Sequence, residues 1–396
     1  MFESVPTAPP DPILGLTEAF GQDPNPQKIN LSVGVYKDET GHTPILESVK
    51  AAEQRIFDAE KTKAYKPIAG DPVYGKLVRQ LLFGVGHELN DNGRAFTAHC
   101  PGGTGALRVV GDYLKHQHSG SAIWLSDPTW ANHGAVFAAA GVKTRAYPYF
   151  DPAVNGLDFE AMFSAVKQMP AGDVILLHGC CHNPTGVDPS AEQWDRLGQL
   201  LAERGVVPLV DFAYQGFAAG LEDDAAGLRA LVRWVDELII CSSFSKNFGL
   251  YNERTGALTF VGREAGHVAA VASQLKLRIR TNYSNPPAHG GAIVAMVLAD
   301  SELKSRWNGE VAQMRDRING MRGLLVKTLA DKGAGRDFSF ITSQSGMFSF
   351  SGLSGDQVQA LRQNHSIYIV GSGRINVAGI TPGNIDRLCE AIVSVL

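Results

Sequence analysis

The sequence predicts an α/β protein: a mainly parallel sheet covered by helices on both faces, joined to a smaller α+β unit. Three observations carry this expectation. From about residue 50 to residue 300, short continuous apolar runs alternate with amphipathic stretches. That is the pattern of strands buried on both faces and linked by crossover helices. One long helical pattern follows, and beyond it short segments alternate between strand and helix character.

The elements follow in chain order. Met1 to Pro12 reads as an extended arm, because Pro6, Pro9, Pro10 and Pro12 exclude a helix there. It has neither a basic region nor an apolar stretch, so we expect no signal peptide and a cytoplasmic protein. The candidate buried strands are Ala122–Ser126, Val174–Leu177, Val207–Val210 and Leu238–Cys241. A helix is expected over Pro189–Arg204, with Pro189 suited to its first turn. The long pattern spans Ser301–Lys332 and places Trp307, Val311, Met314, Ile318, Met321 and Leu325 on one side, as a packed helix face requires. Strands near Phe338–Thr342, Met347–Ser351 and Arg374–Val377, with helices near Ser354–Asn364 and Asn384–Leu396, make up a smaller α+β domain.

Composition narrows the function classes. The chain has 396 residues, room for about two to three domains, and is 44% apolar and 19% charged, a soluble globular balance. A net charge of -4 argues against nucleic acid or an anionic membrane as partner. No apolar run approaches the roughly 18 residues of a membrane helix. The five cysteines are odd in number and contain no C-x-x-C pair, so neither a disulfide framework nor a metal site is expected. Glycine is in surplus, 43 residues, which indicates tight turns and close backbone approaches.

Ligands of open parallel sheets bind beyond the carboxyl ends of the strands, so the residues there matter most. Asp211 closes an otherwise apolar run, and a buried carboxylate needs a cationic or donor partner. After Leu238–Cys241 comes Ser242-Ser243-Phe244-Ser245-Lys246-Asn247-Phe248-Gly249, then Arg254. A lysine in that setting can have a lowered pKa and form a Schiff base, while the hydroxyls and Arg254 can hold a phosphate. After Val174–Leu177 comes His178-Gly179-Cys180-Cys181-His182-Asn183-Pro184-Thr185-Gly186. Adjacent cysteines fit two tetrahedral positions poorly, so the histidines read as structural and Asn-Pro as a rigid turn aiming Asn183. Pro101-Gly102-Gly103-Thr104-Gly105 opens a helix and offers backbone N–H groups to an anion. Gly70–Lys76 fits a phosphate-loop pattern, but Leu77 stands where the magnesium-binding hydroxyl belongs. A lysine, a carboxylate and an anion cradle at successive strand ends together match the needs of pyridoxal phosphate.

The segments Ser243–Arg254, His178–Gly186 and Asp211–Phe217 resemble those of the class I, fold type I, pyridoxal-phosphate aminotransferases, and most closely the bacterial aspartate and aromatic group. The similarity runs from Asp11 to the final helix. It implies a seven-stranded large domain over residues 47–312, a small domain over 15–46 and 313–396, and an arm over 1–14. It implies a homodimer with shared active sites.

Residue by residue, Lys246 matches the lysine that binds the cofactor covalently and shuttles the substrate proton. Asp211 matches the partner of the pyridine nitrogen, and Tyr214 and Asn183 the two groups at the ring 3′ oxygen. Trp130 resembles the aromatic stacked on the ring. Gly103, Thr104, Ser243, Ser245 and Arg254 match the phosphate cup, to which the other subunit adds Tyr65. Arg374 resembles the grip on the substrate α-carboxylate, with Gly34 beside it. Arg280 matches the arginine that pairs with a distal carboxylate across the subunit interface; guanidinium suits both roles because it is bidentate and always charged. Pro128 and Pro184 are candidates for cis peptide bonds. Val35, Lys37, Thr43, Thr104 and Asn285 agree with the aspartate branch, whereas Ala64 departs from both branches. The resemblance therefore implies aspartate:2-oxoglutarate transamination. The alternatives are an aromatic aminotransferase of dual specificity, a pyridoxal-phosphate lyase or decarboxylase, and a nucleotide-binding protein using Gly70–Lys76.

Overall fold

A computed structural model describes residues 1–8 and 14–396. Pro9, Pro10 and Pro12 of the expected arm lie outside the described residues. Phe2–Ser4 forms a single 3₁₀ turn rather than extended chain.

The main sheet holds seven strands: β1 Ala95–Pro101, β2 Ala122–Asp127, β3 Lys143–Pro148, β4 Val174–His178, β5 Val207–Phe212, β6 Leu238–Ser243 and β7 Thr255–Val261. Their spatial order is β1-β7-β6-β5-β4-β2-β3. β7 runs antiparallel to both neighbours, and the β6–β5, β5–β4, β4–β2 and β2–β3 pairs are parallel. The mainly parallel sheet expected from the apolar runs is thus present, and all four expected strands lie in it. Each expected strand extends one or two residues further, to Asp127, His178, Phe212 and Ser243. Those added residues carry the polar groups of the strand ends.

The interior strands β4 and β7 are buried along their whole length, because helices cover both faces. β3 is exposed at every position but Tyr147 and closes one edge with Lys143 and Arg145, as a managed edge strand does. β1, β3 and β7 were not foreseen. β7 carries Gly256 inside a strand, where glycine weakens the local signal. The structure needs it: a Cβ there would meet the Gly102 carbonyl carbon at 2.4 Å.

The helix foreseen over Pro189–Arg204 starts at Ala191, so Pro189 is not in its first turn. Ser190 takes the N-cap in a capping box with Gln193 and leaves the proline outside. The long helix spans Ser301–Asp331 and is capped by Asp300. Trp307, Val311, Met314, Ile318 and Leu325 are buried as expected, and Met321 is partly buried. Trp307 stacks on Phe248 at 4.3 Å and donates to the Asn247 carbonyl at 2.7 Å, so this helix supports the lysine loop from below.

The strand expected near Phe338–Thr342 is instead a 3₁₀ helix, Ser339–Ser343. Asp337 accepts from the Ser339 N–H and hydroxyl at 2.8 and 2.7 Å, and this local turn outcompetes pairing. The other two expected C-terminal strands exist as the antiparallel pair β8 Phe348–Phe350 and β9 Arg374–Asn376. The helices are Gly355–His365 and Ile385–Ser394. Ile29–Asn30 pairs with Ile367–Tyr368, which brings the N-terminal segment onto this C-terminal unit. No helix among the described residues is long and apolar enough to cross a membrane.

Candidate active site

The carboxyl ends of β4, β5 and β6 open into a cavity of about 250 Å³. Gly34, Gly103, Thr104, Trp130, Asn183, Asp211, Tyr214, Ser243, Ser245, Lys246, Arg254 and Arg374 line it, so one chain brings together every expected site residue except two. Tyr65 is 93% exposed and Arg280 is exposed, and neither lines the cavity. Arg280 donates to Ser284 on its own helix end.

Lys246 follows β6 in a turn and lies over the Tyr214 ring, its Nζ 5.2 Å from the centroid. Burial pulls its pKa down to about 8; the Asp211 charge opposes that fall and Arg254 adds to it. Asp211, in β5, is buried and receives the His133 Nε2 contact at 3.0 Å. Burial pushes its carboxyl upward, but the His133 hydrogen bond, with His178 and Lys246 nearby, outweighs this and holds it below its ordinary value. A carboxylate that stays ionised while buried is suited to keep a proton on a ring nitrogen. In Asp211→Asn the opposing anion is gone, so Lys246 in the cofactor-free protein should titrate below 8; NMR of isotopically labelled lysine measures this.

The anion cradle is built from backbone. The helix Gly102–Gln117 has no side-chain cap, so its first N–H groups face the cavity unpaired by a capping oxygen. Gly102 has φ +73°, and a Cβ there would sit 2.5 Å from Arg254 Nη2. Arg254 in turn donates to Ser245 Oγ at 3.3 Å, which lies 3.2 Å from Ser243 Oγ. Three hydroxyl or guanidinium groups thus converge on the helix N-terminus. Gly102→Ala should strain the backbone and push Arg254 aside, weakening cofactor affinity about tenfold, as 1.4 kcal/mol of strain and displacement would. Absorbance titration of the apo protein checks it.

Arg374, on β9, is 4% exposed. It donates to Asn183 Oδ1 at 3.2 Å and to the Ser32 carbonyl at 2.6 Å, and its guanidinium stacks over Phe348 at 4.1 Å. Its Nε is buried with no protein acceptor. A Cβ on Gly34 would lie 2.5 Å from Phe348 Cζ, so glycine is needed where the chain passes this stack. Asn183 sits in a loop braced by Asp188, which accepts from the Cys181 and His182 N–H groups at 2.7 and 2.8 Å. Burial raises the Asp188 carboxyl to about 6. Asp127–Pro128 and Asn183–Pro184 are both cis, as anticipated.

Three site residues escaped the sequence reading. His133 anchors Asp211 and is itself held by Thr129 Oγ1 at 2.8 Å. The Thr129-x-x-x-His133 spacing on a helix start was the available signal. His178 reads as structural from sequence, yet it lines the cavity and neither ring nitrogen has a protein partner. Phe348 also lines the cavity. The phosphate-loop look-alike is not part of the site: Pro72 opens a helix, and Lys76 pairs with Asp91 at 2.8 Å.

These groups fit pyridoxal phosphate. A glycine cradle that a Cβ would fill, the Lys246 amine and the buried Asp211 carboxylate lie around one cavity.

Comparison with known proteins shows the family. The family model described as aminotransferase class I and II matches residues 26–392. An aspartate aminotransferase of Escherichia coli (strain K12) is 55% identical over 396 residues, all of both chains. An aromatic-amino-acid aminotransferase of Pseudomonas aeruginosa is 48% identical over 100% of this chain and 98% of its own. The crystal structure of an aromatic-amino-acid aminotransferase from Burkholderia pseudomallei, covalently bound to pyridoxal phosphate, superimposes with a TM-score of 0.97 at 47% identity, covering 100% of this chain and 99% of that one. A family model spanning nearly the whole chain, with relatives more than half identical over their full length, makes this chain a member of the class I and II aminotransferase family.

Proposed function

We propose that the protein is a pyridoxal-phosphate aspartate:2-oxoglutarate aminotransferase working by a ping-pong mechanism. Aspartate leaves its amino group on the enzyme and departs as oxaloacetate; 2-oxoglutarate then takes the group and departs as glutamate. The observation that carries this reading is the amine of Lys246 sharing one cavity with the buried Asp211 and Arg374.

Pyridoxal phosphate, when bound, supplies an electrophilic carbon for an amine and a ring that accepts the electron pair left at the substrate Cα. The protein does the rest. Lys246 Nζ would hold that carbon, and as a free amine would carry the Cα proton as base and acid. Asp211 holds a proton at the ring nitrogen, and His133 keeps Asp211 ionised and oriented. Tyr214 and Asn183 hydrogen-bond the ring 3′ oxygen, and Trp130 covers one face. Gly103, Thr104, Ser243, Ser245 and Arg254 hold the phosphate. Arg374 takes the α-carboxylate, beside Gly34.

The active unit is a homodimer in this reading. Tyr65 and Arg280 lie at exposed positions of one chain, where they can complete the partner's phosphate cup and distal carboxylate site. Residues 47–312 form the large domain, and 15–46 with 313–396 the small one; the pairing of Ile29–Asn30 with Ile367–Tyr368 supports that division. We place the protein in the cytoplasm.

Aspartate is favoured by Val35, Lys37, Thr43, Thr104 and Asn285. Aromatic substrates are the second reading, favoured by the 48% identity to an aromatic-amino-acid aminotransferase and by the small Ala64 next to Tyr65. Comparing kcat/KM for aspartate, glutamate, tyrosine and phenylalanine with 2-oxoglutarate decides between them. A larger value for tyrosine or phenylalanine than for aspartate would overturn the first reading.

A further inference from the structure

Arg322 lies on the inner face of the 301–331 helix and is 2% exposed. Each of its nitrogens finds an oxygen. Nε donates to Ser349 Oγ at 3.3 Å and Nη1 to Asn319 Oδ1 at 2.8 Å, while Nη2 donates to the carbonyls of Gly346 at 2.6 Å and Phe348 at 3.3 Å. None of these acceptors is a carboxylate. A buried guanidinium without a counter-ion is costly, and burial draws its pKa down to about 10. An apolar side chain of similar volume would sit on that helix face at lower cost. The guanidinium is therefore better explained by what it holds than by stability.

It holds the backbone on both sides of Met347. The Phe348 ring is the stacking partner of Arg374 at 4.1 Å and meets the Tyr214 ring edge-on at 6.1 Å. The same segment abuts the Asn183 loop. Ser345 N donates to the Gly186 carbonyl at 2.6 Å, and Gly346, at φ +82°, is so close that a Cβ would lie 2.4 Å from Cys181 Cβ. Arg374 donates to Asn183 within that loop. One side chain thus fixes the strand under Arg374 and the loop beside it.

We propose that Arg322 is a positioning residue for the substrate-carboxylate clamp: by holding the Gly346 and Phe348 carbonyls it sets the orientation of Arg374, and hence the affinity for the α-carboxylate. This rests on the reading of Arg374 as that clamp.

The test compares holoenzyme with Arg322→Lys and Arg322→Met. The readouts are KM for aspartate and 2-oxoglutarate, kcat, Tm, and Kd for succinate as an unreactive carboxylate. A clamp displaced by a fraction of an ångström should raise both KM values and the succinate Kd about tenfold in Arg322→Lys and toward a hundredfold in Arg322→Met. Saturated kcat and the pH dependence of the cofactor absorbance should change less than about twofold. Should Arg322→Met not fold, Arg322→Lys alone decides. A lowered Tm with unchanged KM and Kd in the folded variant would reduce Arg322 to a structural role and overturn the proposal. Wild-type holoenzyme that neither transaminates nor binds succinate would instead overturn the underlying reading of Arg374.

Discussion

Lys246→Ala is expected to lose transamination by on the order of 10⁴-fold or more, because one substitution removes both the covalent partner and the general base. The geometry leaves no substitute. The amine lies over Tyr214, whose phenol is pushed far above its ordinary pKa by burial and so stays protonated and cannot take up the proton. His133 and His178 face Asp211, on the neighbouring strand. The proposed phosphate cup is built from other residues, so the variant should still bind cofactor, measured by absorbance titration. Borohydride should no longer fix a phosphopyridoxyl label on the chain. Turnover within about tenfold of wild type would remove Lys246 from the chemistry.

Arg280→Asp should lower kcat/KM for aspartate by on the order of 10²- to 10³-fold, and by much less for phenylalanine. Breaking a desolvated charge pair costs about 3–5 kcal/mol, and the introduced carboxylate faces a like charge only when the substrate carries a distal carboxylate. In a single chain Arg280 is exposed and away from the cavity, so the effect needs a second subunit. Mixed dimers of Lys246→Ala and Arg280→Asp chains separate the two arrangements. If sites are shared, the mixed dimer has one site lacking both residues and one site intact, and activity returns. Equal losses for both substrates would show that Arg280 is not the distal clamp, and no recovery on mixing would place all catalytic groups within one chain.

Much of the site was legible because it is local. Asp211, Lys246 and Asn183 each follow an apolar run that can be recognised by itself, and each lies within a few residues of the strand that carries it. Ser243, Ser245 and Arg254 share the lysine loop, and Gly102 to Thr104 open one helix. The glycine surplus was equally readable, though only the structure shows that Gly102 must yield to Arg254 and Gly34 to Phe348. The miss at Phe338–Thr342 was also local in origin: Asp337 redirects the backbone with its side chain, which apolar alternation does not register.

The sequence by itself determined the fold class, the family and most residues of the candidate cavity, since strand patterning and loop chemistry are properties of contiguous segments. The tertiary structure decided the pairings. His133 reaches Asp211 across 78 residues, Arg374 reaches Asn183 across 191 and the Ser32 carbonyl across 342. Arg322 reaches the strand beneath Arg374 only because the 301–331 helix packs there. Such contacts depend on where folding brings distant segments, and a burial that leaves a charge without a counter-ion becomes visible only once its surroundings are in place.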